Sequence, residues 1–172
     1  MPASFSPVTP PKLIGALRAE TNQLHVQLEK RMPFFMPRAL TPDDRIKTCV
    51  LVKDLCALGM SEHDIRQLPQ CTQLPITNSP GACLGVMYVL EGATLGGQVL
   101  RREVLKRLGL DEYSGAAFLD VYGAETGPRW KVFLNHLDAV PRGVEFTEAA
   151  AHAAHSTFAC FEHWLDGQEV LL

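Results

Sequence analysis

Leu84-Gly85-Val86-Met87-Tyr88-Val89-Leu90-Glu91-Gly92-Ala93-Thr94-Leu95-Gly96-Gly97-Gln98-Val99-Leu100-Arg101-Arg102 is an apolar run whose centre holds three glycines in six residues, Gly92 to Gly97. Its flanks read as one long helix. Ser79-Pro80 supplies a cap and a proline for the first turn, and Gly109 after Leu108 supplies a stop. Each interior glycine costs a helix about 1 kcal/mol relative to alanine, so the three together cost roughly 3 kcal/mol and need a compensating reason. One reason is a kink or a close helix crossing. The other is a flat ligand lying against bare backbone. Spacing alone favours packing, since glycine signals close approach of any kind.

Helices extend outward from this run in both directions. Lys12 to Arg31 carries Leu13, Leu17, Thr21, Leu24 and Leu28 at helical spacing, and Pro33 stops it. Thr41-Pro42-Asp43-Asp44 opens a helix that should reach Leu58, with Gly59 ending it. Ser61 caps a short helical turn, and residues 68–78, with Pro69, Pro75 and Asn78, form a loop. A short helix is expected over Gly115–Tyr122 and another from Pro128 to Asp138, behind Thr126-Gly127. The last should run from Thr147 to about Asp166, with Ala150, Ala154, Phe158, Phe161 and Leu165 on one face. No window alternates as a strand does.

The 172 residues fit one domain, with 47% hydrophobic and 20% charged residues. We expect a proline-rich extended arm over 1–11 and a single helical domain over 12–172. The arm, with four prolines and no apolar run, reads as neither a signal peptide nor an anchor. A net charge of −3 gives no global field towards nucleic acid or an acidic membrane. Five cysteines without a C-x-x-C pair suit neither a disulfide framework nor a zinc site, so a reduced, cytoplasmic setting is expected.

His25 bears on the choice between packing and ligand. It shares a helix face with Thr21, Leu28 and Met32, and Glu29 lies one turn later, able to accept the imidazole's other N–H. A metal-binding histidine needs such a partner to fix its tautomer. Arg18 lies two turns earlier, about 10.5 Å along the axis, roughly the reach from a haem iron to its propionates. One helix can therefore offer both an axial ligand and a propionate clamp.

These segments carry a family resemblance. Leu17-Arg18-Ala19-Glu20-Thr21-Asn22-Gln23-Leu24-His25 resembles the proximal helix of the biliverdin-producing haem oxygenases, and Tyr88 to Gln98 resembles their distal helix. Thr126-Gly127-Pro128-Arg129-Trp130-Lys131 and Thr157-Phe158-Ala159-Cys160-Phe161-Glu162 look like that family's later helices, and the bacteriophytochrome-associated bacterial members look most similar. The resemblance implies an all-α, multi-helix bundle with haem b, both substrate and cofactor, between the proximal helix and a kinked distal helix. It makes His25 the iron ligand, with Glu29 as its partner. Gly92, Gly96 and Gly97 become the distal backbone, Arg18, Tyr88, Lys131 and Arg129 the propionate contacts, and Phe158 and Phe161 the pocket wall.

The implied reaction cleaves haem with O2 and external electrons to biliverdin, CO and Fe²⁺. A bare distal backbone suits it, because bulk would block bound oxygen and an acid–base side chain would promote unproductive O–O cleavage. Two departures stand out. Some members place an aspartate after the first distal glycine, where this chain has Ala93, and this chain is shorter between the proximal and second helices. A non-catalytic haem-binding or storage module therefore stays open as an alternative, as does a thiaminase-like hydrolase, which would need a cysteine with acidic partners.

Glu148, His152 and His155 have a spacing that can hold a metal but match the solvent side of an alanine-rich helix. No dinucleotide fingerprint or phosphate loop exists, so no internal flavin or nicotinamide site is expected and electrons come from a ferredoxin- or reductase-like protein. Arg101, Arg102, Lys106 and Arg107 form a basic run able to dock an acidic donor, or an ordinary charged helix end. The bacteriophytochrome-associated type adds a bilin-accepting phytochrome as a partner.

Overall fold

A computed structural model describes residue 45 and residues 47–69, 71–140 and 143–167. The expected arm and the helix of Arg18, His25 and Glu29 lie outside the described residues. Those residues form five α-helices, α1 (Thr48–Ala57), α2 (Glu62–Gln67), α3 (Pro80–Leu108), α4 (Thr126–Ala139) and α5 (Val144–Gly167), and two 3-10 turns, Ala117–Asp120 and Gly123–Glu125. No strand occurs among the described residues.

The ends of α3 follow from its sequence. Ser79 accepts a hydrogen bond from the Ala82 N–H at 3.2 Å, Pro80 takes the first turn, and Gly109 closes the helix at φ +67°, a left-handed conformation that glycine adopts without strain. By length and composition α3 is apolar enough to cross a membrane, but half of its apolar window is buried against the rest of the protein.

The core lies between α3 and α5. Ala82, Cys83, Leu84, Val86, Met87 and Leu90 of α3 meet Phe133 of α4 and Ala153 of α5, with Leu74, Trp130, Phe146 and Phe161 packed around them. The crossing is very close. A Cβ on Gly85 would overlap the carbonyl of Ala150, and one on Gly81 would stand 2.6 Å from the Phe146 oxygen. Small residues must therefore occupy the contact, which shifts the buried stripe of α5. Ala153 and Thr157 are the fully buried residues there, and the Thr157 hydroxyl is satisfied by donating to Ala153 O at 2.7 Å. Phe158, expected on the inner face, is 60% exposed.

Two local expectations are corrected. The helix expected from Thr41 to Leu58 is not continuous: its start lies outside the described residues, Arg45 sits in a 3-10 turn, and Lys47 is non-helical before α1 begins at Thr48. The Lys47 and Arg45 side chains are drawn to Glu91, and Lys47 Nζ also donates to Arg45 O at 3.3 Å, the carbonyl that a continuous helix would offer to the Cys49 N–H. The helix expected over Gly115–Tyr122 is instead a single 3-10 turn, Ala117–Asp120, followed by a second at Gly123–Glu125. Asp54 of α1, buried, accepts the Ala117 and Phe118 N–H groups at 2.9 and 2.8 Å and fixes the first turn. Gly115 enters it at φ +119°.

Candidate functional site

Tyr88, Gly92 and Gly96 recur every four residues and so share one face of α3. The three central glycines do different things. A Cβ on Gly97 would stand 2.5 Å from the Leu119 carbonyl oxygen, so Gly97 lets the 3-10 turn approach the helix. A Cβ on Gly92 would rest 3.5 Å from the Trp130 ring, and one on Gly96 would meet nothing within 4 Å. The packing explanation thus accounts for Gly97 and leaves Gly96 unexplained. Around this face stand aromatic rings: Trp130 lies 5.4 Å from Tyr88 and stacks on Phe133 at 5.7 Å. Leu95 and Val99 continue the face as exposed apolar side chains.

Behind the glycine segment is a buried charge cluster. Glu91 is 3% exposed and receives an ion pair from Arg45, the Lys47 ammonium at 2.6 Å and the Tyr122 hydroxyl at 3.0 Å. The Arg129 guanidinium lies over the Tyr122 ring at 4.7 Å, and Lys47 lies 5.0 Å from that ring. Burial pushes the Lys47 ammonium below its ordinary pKa, with Glu91 opposing the shift. Burial, then the Glu91 charge, holds the Tyr122 phenol protonated far above its usual range. The cluster ties α3, at the residue preceding Gly92, to the segment before α1 and to the 3-10 turns. Sequence reasoning missed it. The available signal was a lone acid, Glu91, closing the apolar run Leu84–Leu90.

The expected site residues are distributed unevenly. Tyr88 is 42% exposed on the glycine face, and Lys131 is exposed on α4. Arg129 turns to Tyr122, on the Glu91 side, where its carbonyl also accepts from Arg45 at 3.5 Å. The Phe161 ring packs on the core. A cavity of about 270 Å³ between α3, α4 and α5 holds Tyr88, Gly85, Leu137, Phe146 and Ala154. It is smaller than the roughly 300–1,000 Å³ of complete ligand pockets.

The basic run is partly neutralised. Arg101 pairs with Asp120 at 2.5 Å and Glu112 at 3.0 Å, and Arg107 pairs with Glu103 at 3.1 Å. Arg102 and Lys106 remain exposed. His152 and His155 are exposed as a solvated face requires, and among the described residues no three potential ligands gather to hold a metal ion.

Fold and site together define, among the described residues, an all-α protein whose long helix carries a bare, ring-flanked glycine face. The heme oxygenase family model matches residues 53–167, more than half of the chain. The chain belongs to the haem oxygenase family. No curated protein matches it. Membership brings haem and O2 as the reactants of the family's chemistry. The described residues fit one face of a haem: Gly96 leaves open space where a side chain would stand, and Tyr88, Trp130, Leu95 and Val99 give apolar area beside it.

Proposed function

We propose that this protein is a haem oxygenase that cleaves haem to biliverdin, CO and Fe²⁺ with O2 and externally supplied electrons. The observation that carries the reading is the open space at Gly96 within a chain of this family. Haem supplies the iron that binds O2 and the porphyrin that is cleaved. His25 would hold the iron through its imidazole, and Glu29 would accept the other N–H and fix the tautomer. Arg18, Tyr88 and Lys131 orient the propionates. Arg129 has a competing partner in Tyr122 and contributes less. Gly92 and Gly96 present backbone rather than side chains to the distal side, and Gly97 keeps that backbone in place through its contact with Leu119. Phe158 gives an exposed ring able to cover the haem edge and exclude water.

Ala93 in place of an acid supports the bacteriophytochrome-associated type, for which a bilin-accepting phytochrome takes the product. Electrons arrive from a ferredoxin- or reductase-like protein, for which exposed Arg102 and Lys106 offer a small basic contact.

The test is a hemin titration followed by turnover with a reducing system. A Soret band of a histidine-ligated haem and the absorbance of biliverdin are expected. Haem that binds and stays intact would establish the storage reading instead, and no Soret shift would overturn both.

A further inference from the structure

The loop of residues 71–76 faces α5 across an open groove of about 520 Å³, lined by Leu74, Ile76, His155, His163 and Trp164 as well as two cysteines. The sulfurs of those cysteines, Cys71 and Cys160, are 3.8 Å apart and belong to positions 89 residues apart in the chain. Cys71 is buried, whereas Cys160 is partly exposed. The Cys160 thiol donates to the Gln73 carbonyl at 3.0 Å, which holds it beside the loop. Cys49 and Cys56, both exposed, have no such sulfur neighbour among the described residues. What distinguishes Cys71 and Cys160 is therefore pairing across two elements, not accessibility.

We propose that Cys71 and Cys160 form a dithiol–disulfide couple, oxidised by hydrogen peroxide that enters the groove, and that the closed form pins the loop to α5. A disulfide needs its sulfurs about 2.05 Å apart. Side-chain torsion together with a small shift of the loop, which has no regular secondary structure, closes the gap. Cys160 is the sulfur that peroxide reaches first. Its thiolate attacks one peroxide oxygen, an S–O bond forms and the O–O bond breaks. The departing hydroxide becomes water with the proton from the thiol, leaving a sulfenic acid. The Cys71 thiolate then attacks that sulfur, the S–S bond forms, and the second oxygen leaves as water. Two thiols lose two electrons and two protons, and one peroxide becomes two waters. The couple does not depend on what binds the glycine face of α3.

The experiment uses the full chain, reduced and then exposed to a slight molar excess of hydrogen peroxide before alkylation of the remaining thiols. The expected result is loss of two titratable thiols and an intact mass about 2 Da lower before alkylation. Proteolysis without reductant should release a peptide pair joined through Cys71 and Cys160, and dithiothreitol should reverse all three signals. The Cys49→Ser, Cys56→Ser double variant should behave the same, because those thiols are not used. The proposal is overturned by mass gains of about 16 or 32 Da without thiol pairing, by cross-links through Cys49 or Cys56, or by an unchanged thiol count. The wild-type chain alone decides the matter, so no result depends on whether a Cys160→Ser variant folds.

Discussion

Lys47 Nζ lies 2.6 Å from Oε1 of Glu91, both side chains almost wholly buried, and the same carboxylate also binds Arg45 and Tyr122. Two cations thus depend on one acid. Removing that acid leaves both buried without their counter-charge, which costs about 3–5 kcal/mol. Glu91→Ala is therefore expected to lose that much stability, whereas Lys47→Met, which leaves Glu91 paired with Arg45, loses much less. Urea unfolding of the two variants measures the difference, and equal losses would show that Glu91 is not the hub.

The same cluster sets an alkaline limit. The unfolded Tyr122 phenol ionises near its ordinary pKa of 10.0, while the folded one stays protonated well above that. The folded chain then binds the extra proton, so this group's contribution is full below pH 10 and is lost as pH rises above it. Lys47 has the opposite sign. Its folded pKa is depressed, so stability rises with pH towards the ordinary 10.5 and levels off above it. Above pH 10.5 the lysine gain fades and the tyrosine loss exceeds it, approaching about 1.4 kcal/mol per pH unit. Tyr122→Phe should flatten the decline of stability between pH 10.5 and 11.5 by about that amount. Parallel slopes for variant and wild type would mean that the phenol ionises equally in both states.

Gly96 and Gly97 are adjacent yet should respond oppositely to one methyl group. At Gly97 the added Cβ meets the Leu119 carbonyl, so Gly97→Ala must shift the 3-10 turn and lower the melting temperature. At Gly96 the space is open, and alanine gains about 1 kcal/mol of helix propensity. Gly96→Ala should hold or raise the melting temperature of the haem-free chain, and Gly96→Leu should also fold. If haem lies on this face, both Gly96 variants lose haem turnover, leucine more severely. Full biliverdin production by Gly96→Leu would place the haem elsewhere.

The propionate proposal is read through product identity. An exposed charge pair is worth only about 0–1 kcal/mol, so Arg18→Ala with Lys131→Ala should bind haem with modest loss. A difference of about 1.4 kcal/mol between two seatings of the haem nevertheless changes their populations tenfold. The double variant should yield a mixture of biliverdin isomers on chromatography after a single turnover. One unchanged isomer would assign the seating to apolar walls. His25→Ala is the companion experiment: it should abolish the histidine-ligated Soret spectrum, with added imidazole restoring part of it.

Much of the helical layout was readable because end signals are local. Ser79-Pro80 and Gly109 fixed α3 to the residue, and Ser61 capped α2 as expected. What could not be read was decided by partners remote in sequence. Arg45 and Lys47 leave the helical path for Glu91, and the turn at Ala117 is shaped by Asp54. Hydrophobicity alone put Phe158 inside α5, but the crossing at Gly85 admits only small residues. Within the site, three glycines read as one motif separate into a packing glycine, a ring-covered glycine and an open one. That distinction lies in Leu119 and Trp130, which no spacing within α3 reveals.

The crossing of Gly85 and Ala150 also sets a timetable for synthesis. Ala150 follows Gly85 by 65 positions, so the α3 surface that α5 covers is made well before its cover. At 5–20 residues per second the interval is roughly 3–13 s. Through it the ribosome carries a nascent helix apolar enough, by length and composition, to be mistaken for a membrane span. Newly made chains should therefore be clients of ribosome-associated chaperones until α5 emerges, and truncation before Val144 should yield aggregation rather than a smaller folded protein.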